Sequence, residues 1–317
     1  MKRKRYIKQK LVQFFVLTLA LSFIIFTGTG VSLAQNNPPA VEWTYEVEDF
    51  TFVSLAIDAE GNIYAGSTDN TIIKFDSAGN ILQNFELHRG VINSLTVDQD
   101  GYIYAGSTYN TARKLDPQGN EIWNYDRHWS SLNSVAIDDE NNLYTGSRDN
   151  FVRKINPDGH RLWTFEGHNN TVNAVAVDRE GNIFSGSTDN SVRKIDSEGN
   201  EIWRYDIHWS TVKSLAVDEE GNVFTGSRDT KVRKIDPDGH RLWTFDGHNG
   251  SVTALAVDNQ GNIYTGSSDS TVRKLDTEGN EIWNYTGHRG GILDIVIDDE
   301  GNIFTVSSDG IFKKLSP

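Results

Sequence analysis

Gly61-Asn62-Ile63-Tyr64 is the first of seven related stretches in which a turn pair precedes an aliphatic and an aromatic residue. The other six follow at intervals of 40 residues: Gly101-Tyr102-Ile103-Tyr104, Asn141-Asn142-Leu143-Tyr144, Gly181-Asn182-Ile183-Phe184, Gly221-Asn222-Val223-Phe224, Gly261-Asn262-Ile263-Tyr264 and Gly301-Asn302-Ile303-Phe304. Glycine and asparagine tolerate the positive φ of tight turns, whereas the residues that follow favour β-strands. The chain is therefore a sevenfold repeat of a turn and a strand.

Each 40-residue unit contains four short strands. In the unit that begins at residue 171, β-branched and aromatic runs predict strands at 172–177, 182–187, 191–195 and 201–205, which we call strands a, b, c and d. The short connections favour an antiparallel meander. A period of about 40–45 residues with four strands is typical of a β-propeller with one blade per unit. We predict an all-β, seven-bladed propeller with four-stranded antiparallel blades over residues 41–317.

The seventh unit ends after its strand c, and the missing strand d lies at the start of the repeat. There Trp43 stands in register with the tryptophans of strand d in other units, which are Trp123, Trp163, Trp203, Trp243 and Trp283. We predict that residues 41–47 supply the outer strand of the last blade. This pairing closes the ring and leaves no open edge between the first and last blades.

Residues 1–34 differ in composition from the repeat. Six lysines and arginines lie in the first ten residues, an apolar run follows over 11–26, and Ser32-Leu33-Ala34 offers small residues to a signal peptidase. We predict a cleaved signal peptide at 1–34, a polar linker at 35–40, and export to the periplasm, the cell envelope or the extracellular space. An uncleaved membrane anchor is the alternative. After cleavage we expect no stable membrane span.

The chain that remains after cleavage is strongly acidic. The full sequence has 30 basic and 44 acidic residues, and removal of 1–34 leaves 24 basic residues and a net charge of −20. Binding to a phosphate backbone depends on clustered lysines and arginines, so we expect no nucleic-acid partner. The sequence contains no cysteine, and a closed propeller with a large core does not need disulfides.

In an antiparallel meander the a–b and c–d turns lie on one face of the ring. This face, which we call the acidic face, carries 25 of the 44 acidic residues in its turns. Aspartates that cap hairpin turns explain the pattern. Calcium binding is the alternative interpretation, but these turns lack the further oxygen ligands that a calcium loop places at set spacing.

The b–c turns and the d–a connections form the opposite face, which we call the variable face because the units differ there. Tryptophan and arginine are the residue types enriched at the energetic centres of protein interfaces. We predict a partner-binding surface that comprises Arg89, Tyr109, Trp129, Arg148, Trp209, Lys213, Arg228 and Arg289.

The stretch from Gly247-His248 through Gly266-Ser267-Ser268-Asp269 resembles a WD repeat, with its Gly-His opening and its G-S-x-D turn. The resemblance implies that each repeated histidine bonds to the turn aspartate of its blade. The histidines are His88, His128, His168, His208, His248 and His288, and the aspartates are Asp69, Asp149, Asp189, Asp229, Asp269 and Asp309. The sequence departs from the family in two ways, because isoleucine or leucine replaces the signature tryptophan and Tyr109 replaces one aspartate. One histidine per blade does not converge on a metal ion, so we expect no metal.

The other half of each unit, as in Gly279-Asn280-Glu281-Ile282-Trp283, resembles the repeat of quinoprotein-type (PQQ-like) propellers. The resemblance implies that the tryptophan of strand d docks between blades. The quinoprotein dehydrogenases are similar to eight-bladed rings with calcium ligands and commonly a cysteine pair. Seven blades without cysteine do not fit that pattern, so we expect no bound cofactor.

A lysine recurs in strand c of all seven units. The set comprises Lys74, Lys114, Lys154, Lys194, Lys234, Lys274 and Lys314. Its completeness indicates a structural role, either stacking on an aromatic ring or pairing with an aspartate at a strand end.

No nucleophile elbow, phosphate loop or pair of catalytic carboxylates stands out from the repeat. We therefore expect a non-catalytic, exported scaffold that binds a protein or peptide through the variable face. PQQ-like scaffolds that help assemble outer-membrane proteins in the bacterial envelope are the nearest analogy in fold. A carbohydrate-binding propeller is one alternative, with Trp129 and Trp209 stacked on sugars. A metal-dependent or PQQ-type enzyme is the other, with a metal on the acidic face or at Asp294.

Overall fold

Turn-forming and strand-forming residues alternate along the repeat, and the computed structural model places a strand in each predicted run. It describes residues 38–86, 90–206 and 208–317. Within these ranges the chain forms β-strands without any helix, and thus no helix that is able to cross a membrane. The predicted signal peptide at 1–34 lies outside the described residues, as do residues 35–37 of the predicted linker.

The strands are four to six residues long. In chain order the first fourteen are β1 (Val41–Glu46), β2 (Phe52–Ile57), β3 (Ile63–Ser67), β4 (Thr71–Phe75), β5 (Ile81–Glu86), β6 (Ile92–Val97), β7 (Ile103–Ser107), β8 (Ala112–Leu115), β9 (Glu121–Tyr125), β10 (Leu132–Ile137), β11 (Leu143–Ser147), β12 (Val152–Ile155), β13 (Arg161–Phe165) and β14 (Val172–Val177). The remaining strands are β15 (Ile183–Ser187), β16 (Val192–Ile195), β17 (Glu201–Tyr205), β18 (Val212–Val217), β19 (Val223–Ser227), β20 (Val232–Ile235), β21 (Arg241–Phe245), β22 (Val252–Val257), β23 (Ile263–Ser267), β24 (Val272–Leu275), β25 (Glu281–Tyr285), β26 (Ile292–Ile297), β27 (Ile303–Ser307) and β28 (Ile311–Leu315).

Seven four-stranded antiparallel sheets form the seven blades. Six blades use consecutive strands, from β2–β5 in blade 1 to β22–β25 in blade 6, and blade 7 has the order β26-β27-β28-β1. The first strands of neighbouring blades contact one another, including β26 with β2, so the strands a form a ring around the centre. The predicted all-β, seven-bladed propeller is confirmed.

β1 closes the ring as the outer strand of blade 7. It pairs with β28 in antiparallel register, with Tyr45 opposite Phe312. Trp43 and Tyr45 pack with Phe52, Phe75 and Phe312 in a cluster that joins the last blade to the first. The strand ends at residue 46. The predicted segment 41–47 is therefore one residue too long as a strand.

Two inner strands of blade 4 also begin one residue later than predicted. β15 starts at residue 183 because the N–H of Asn182 donates to Oδ1 of Asp178 at 2.8 Å. β16 starts at residue 192 because the N–H of Ser191 donates to Oδ1 of Asp189 at 3.0 Å. In both places an aspartate side chain extends the turn at the expense of the strand.

The tryptophans of strand d join five of the blades to the blade that follows. Nε1 of Trp123 donates to the carbonyl of Pro157 at 2.8 Å, in the c–d turn of the following blade. In the same turn Gly159 has a φ of +84°, and a Cβ there would lie 2.9 Å from the indole of Trp123. Glycine is therefore required beneath the ring. The same donation is made by Trp43, Trp163, Trp203 and Trp243.

The seven lysines of strand c lie against the aromatic rings of strand b. Each ammonium lies between 4.9 and 5.8 Å from the centre of such a ring. Five of them also pair with the aspartate that follows strand a, and Lys314 pairs with Glu42. Both contacts expected from the sequence are present, and they link three strands inside a blade.

Candidate functional site

The aspartate that follows strand a in each blade accepts hydrogen bonds from donors of the protein itself. Oδ1 of Asp58 accepts the N–H of Glu60 at 3.0 Å and that of Asn62 at 2.9 Å. Oδ2 accepts the hydroxyl of Tyr64 at 3.1 Å and lies 3.0 Å from Nζ of Lys74. Burial alone would raise the pKa of Asp58, but the bonds from Asn62 and the charge of Lys74 lower it. The carboxylate therefore stabilises its own hairpin.

The turns of this face need a residue with positive φ. Gly61 has a φ of +77°, and Asn141, which takes the equivalent place in blade 3, has a φ of +61°. Nowhere in the described ranges do three or more His, Cys, Asp or Glu side chains group around a possible metal position. The geometry of the acidic face is that of capped hairpins.

The five repeated histidines that the structure describes are buried inside their blades, and two of them bond directly to the turn aspartate. Nδ1 of His168 lies 3.0 Å from Oδ2 of Asp189, and its Nε2 lies 2.8 Å from Oγ of Ser185. His248 makes the equivalent bond to Asp269 at 3.1 Å. Each aspartate also accepts the N–H of the residue after the histidine, so it fixes the d–a connection.

In blades 3 and 5 an arginine stands between the histidine and the aspartate. Nη1 of Arg153 lies 2.7 Å from Nδ1 of His128 and 2.8 Å from Oδ2 of Asp149. Arg233 makes the same pair of contacts, and its Nη1 lies 2.8 Å from Nδ1 of His208. Burial and then the charge of Arg233 lower the pKa of His208 to about 3. This imidazole is therefore neutral and accepts the guanidinium N–H.

Blade 7 has a third arrangement. Nδ1 of His288 lies 2.8 Å from Oγ of Ser307, which in turn bonds to Asp309. In blade 1, Ser67 and Thr71 donate to Asp69. The predicted direct bond is thus present at His168 and His248. In blades 3, 5 and 7 a third side chain, Arg153, Arg233 or Ser307, connects the histidine to the aspartate instead.

Arg153 and Arg233, which turn inward to the histidine and the aspartate, were not predicted as functional residues. The sequence nevertheless contains the signal that sets their direction. Where strand d begins with glutamate, the arginine of strand c turns outward to it: Arg193 pairs with Glu201, and Arg273 lies 2.5 Å from Glu281. Strand d begins with arginine only at β13 and β21, in blades 3 and 5. Like charge at that position is repulsive, so the strand c arginine turns inward to the aspartate.

Trp129 and Trp209 project from the variable face of these same two blades. Their side chains are 78% and 81% exposed, although their backbone N–H groups are fixed to Asp149 at 3.0 Å and to Asp229 at 3.2 Å. Trp129 also contacts Phe151 edge to face, with ring centres 5.7 Å apart. Both indoles are therefore held on anchored loops and remain open to solvent.

Two further predicted residues, Tyr109 and Arg289, lie on the variable face as well. Tyr109 is 58% exposed, and Arg289 is exposed with its N–H bonded to Asp309. His88 and Arg89 lie outside the described residues. Beside Trp209 an open groove of about 500 Å³ extends along the side of blade 5, between Arg233, Arg241 and Leu242.

Strand a places one side chain per blade at the mouth of the central channel on the variable face. Nδ2 of Asn93 donates to the carbonyl of Leu132 in the next blade at 2.7 Å. Asn133, Asn173 and Thr253 make the equivalent bond at 3.1, 2.9 and 2.6 Å. The residue of blade 5 at this position is Lys213, which is exposed. Burial, Arg228 and Arg148 lower the pKa of Lys213, in that order.

Asp294 lies half-buried where blade 7 meets blade 1. Its Oδ2 accepts the N–H of Leu55 at 2.8 Å, and burial raises its pKa to about 7. Ser94 accepts the N–H of Val135 in the same way at 3.0 Å between blades 2 and 3. Asp294 thus makes an interblade bond in place of a serine, and no second carboxylate joins it in a metal-binding group among the described residues.

Residues 148–310 match the family model described as outer membrane protein assembly factor BamB. This match covers more than half of the 317 residues and includes Arg148, Trp209, Lys213 and Arg228. No curated protein matches the chain.

Proposed function

Because the chain belongs to the family of PQQ-like propellers described as outer membrane protein assembly factor BamB, we propose that it is a non-catalytic scaffold that binds a protein partner. The variable face is the binding surface. The predicted signal peptide at 1–34 carries the scaffold to the cell envelope, where that family's description places its work.

The exposure of Trp129 and Trp209 carries the proposal. An indole exposed by about four-fifths leaves a large apolar surface in water, and its burial is worth roughly 1.5–3 kcal/mol. The anchored backbone reduces the entropy that is lost when such a side chain is ordered at an interface. Two fixed tryptophans on one face are the pattern expected of interface hot spots.

Capture from an envelope extract tests this proposal. Tagged protein is compared with a Trp129→Ala/Trp209→Ala variant and with a matched control, Leu162→Ala/Ile202→Ala, in which two exposed apolar residues of the outer strands are removed. We expect the wild type and the control to retain the same partner and the tryptophan variant to lose it. Retention of that partner by the tryptophan variant contradicts the proposal.

Carbohydrate binding is the second candidate function, because the same two exposed indoles offer flat apolar surfaces to sugar rings. A glycan array distinguishes it from protein binding. If it holds, the wild type binds a defined glycan and the double tryptophan variant does not. Absence of binding to every glycan removes this candidate and leaves the scaffold proposal intact.

A further inference from the structure

Three exposed cationic side chains occupy strand a and b–c turn positions that border the channel mouth of the variable face. In blade 4, Nδ2 of Asn173 contacts Oγ1 of Thr188 at 3.0 Å, which shows that this position of strand a touches the first residue of the b–c turn. In blade 5 those two positions are Lys213 and Arg228. Arg148 is the b–c turn residue of blade 3, and its charge acts on Lys213 together with that of Arg228. We call these three residues the mouth cluster.

The mouth cluster is not neutralised by the protein. Most cations elsewhere are paired, as Arg179 is with Glu219 and Arg204 is with Asp206. Within residues 38–86, 90–206 and 208–317, the side chains of the mouth cluster form neither ion pairs nor hydrogen bonds. The positive charges of Arg228 and Arg148 act unfavourably on that of Lys213, and a bound anion offsets this repulsion.

The rest of the molecule restricts where an anion binds. The full chain has a formal net charge of −14, and most of its carboxylates lie in the turns of the acidic face. An acidic ligand is therefore repelled from that face and attracted to the mouth cluster. Guanidinium groups hold carboxylates through paired, charge-assisted hydrogen bonds, and Arg148 and Arg228 provide two of them.

Cations and aromatic residues at the mouth come from the same two blades. Trp129 and Arg148 belong to blade 3, and Trp209 and Arg228 belong to blade 5. Lys213 lies on strand a at the centre of the ring, which a flat protein surface does not reach. An extended segment or a loop does reach it, with carboxylates in the mouth and apolar side chains against the indoles.

We propose that the mouth cluster binds an acidic segment of the partner protein, with at least two carboxylates next to an apolar side chain. The inference rests on the proposed function, because it gives the chemistry of the partner that the variable face binds.

Peptide binding to the purified protein tests this inference. The probe is a fluorescein-labelled peptide of six glutamates followed by one leucine, and its control has glutamines in place of the glutamates. Fluorescence anisotropy is measured at low and at high salt. We expect the glutamate peptide to bind about tenfold more tightly than the control and to lose affinity as salt screens the charges.

The matched variants remove three positive charges each. R148Q/K213Q/R228Q changes the mouth cluster, and R113Q/R179Q/R204Q changes three arginines that pair with Glu121, Glu219 and Asp206 away from the mouth. We expect the first variant to lose about tenfold in affinity for the glutamate peptide and the second to stay within about twofold of the wild type. Melting curves establish that both variants are folded.

Several results overturn the inference. Equal binding of the two peptides does so, as does unchanged affinity in the mouth-cluster variant. Low-salt sedimentation that shows self-association in the wild type but not in this variant identifies the acidic face of a second copy as the occupant. The mouth-cluster variant can also be tested for capture of the envelope partner. If it retains the partner and only the tryptophan variant loses it, this inference is refuted and the proposed scaffold function stands.

Discussion

The acidic face and the variable face are opposite ends of the same strands, but their charged residues are in different states. On the acidic face, Asp58 and its equivalents accept bonds from turn amides, asparagine, tyrosine and lysine within their own blade. On the variable face, Arg148, Lys213 and Arg228 are exposed near the channel mouth without such partners among the described residues. A high density of charge therefore does not by itself indicate a binding site. Charge that the fold leaves unsatisfied is the better guide.

The two faces also differ in symmetry. Positions that repeat in all or nearly all units serve the blade, as the seven strand c lysines and the six strand d tryptophans do. Positions that vary are concentrated in blades 3 and 5, where the inward arginines accompany an exposed tryptophan. If this distinction is correct, changes at repeated positions reduce stability, and changes at varied positions reduce binding.

Deletion of residues 41–46 is expected to have the largest effect, because β1 supplies the repeated strand d of blade 7. The loss removes the pairing with β28 and the burial of Trp43 and Tyr45 against the first blade. We expect a loss of stability on the order of 5 kcal/mol or more. Calorimetry measures the melting temperature, and substitution of the exposed Val41 by serine is the control. An unchanged melting curve contradicts the closure of the ring by β1.

Substitution of Asp218 by alanine tests a repeated position on the acidic face. The change removes the acceptor of two donors of Asn222, at 2.7 and 2.8 Å, and the partner of Lys234 at 3.4 Å. We expect unfolding by urea to show a loss of about 2–4 kcal/mol, with peptide binding unchanged. The exposed neighbour Glu219 is the control, and its alanine variant stays within about 0.5 kcal/mol. If folded Asp218→Ala loses affinity for the glutamate peptide, the acidic face contributes to binding and the distinction between the two faces is wrong.

The strand and blade order follow from the sequence because each 40-residue unit repeats its turn signals and its strand pattern locally. Closure by residues 41–47 also follows, since Trp43 keeps the register of the other strand d tryptophans. The effect of the Arg148 charge on Lys213 does not follow, because the two residues belong to blades that are not neighbours and their approach depends on the curvature of the ring. The direction of Arg153 escaped prediction for a related reason, since it depends on the charge of Arg161 in the neighbouring strand.

Asp294 is an ionisable group at a strand a position that makes an interblade bond, where blade 2 has Ser94. Its folded pKa of about 7 lies above the ordinary value, so the native state binds more protons than the unfolded chain between about pH 4 and pH 7. Stability from this group is therefore present at low pH and falls as the pH rises through that window.

Replacement of Asp294 by serine, the residue that other blades use, removes this dependence. We expect the variant to gain on the order of 1–4 kcal/mol relative to the wild type between pH 4 and pH 8. Urea unfolding at several pH values measures the difference in the free energy of unfolding between the variant and the wild type. The titration of the buried histidines is the same in both proteins and therefore cancels from this difference. Ser54→Ala serves as a control without a change of charge. Parallel pH profiles for Asp294→Ser and the wild type contradict this role.

The smallest expected effect has the opposite sign. Substitution of Lys213 by asparagine removes repulsion from Arg148 and Arg228 and restores the donor that Asn173 directs to the next blade. We expect a gain in stability of up to about 1 kcal/mol together with weaker binding of the glutamate peptide. Lys231→Asn, which removes an exposed pair with Asp246, is the control. A loss of stability in Lys213→Asn shows that the lysine serves the blade rather than a ligand.

Closure of the ring by β1 also fixes the order of events during synthesis. Blades 1 to 6 are local meanders, each of which has all its strands within 40 residues of chain. β1 emerges before all of them, yet its partner β28 is made last, and Ala40 bonds to Ser316 across 276 positions. Until translation reaches that point, β1 is an unpaired edge that is open to proteases and to pairing with other chains. A chain that terminates before β28 thus keeps β1 as an unpaired edge.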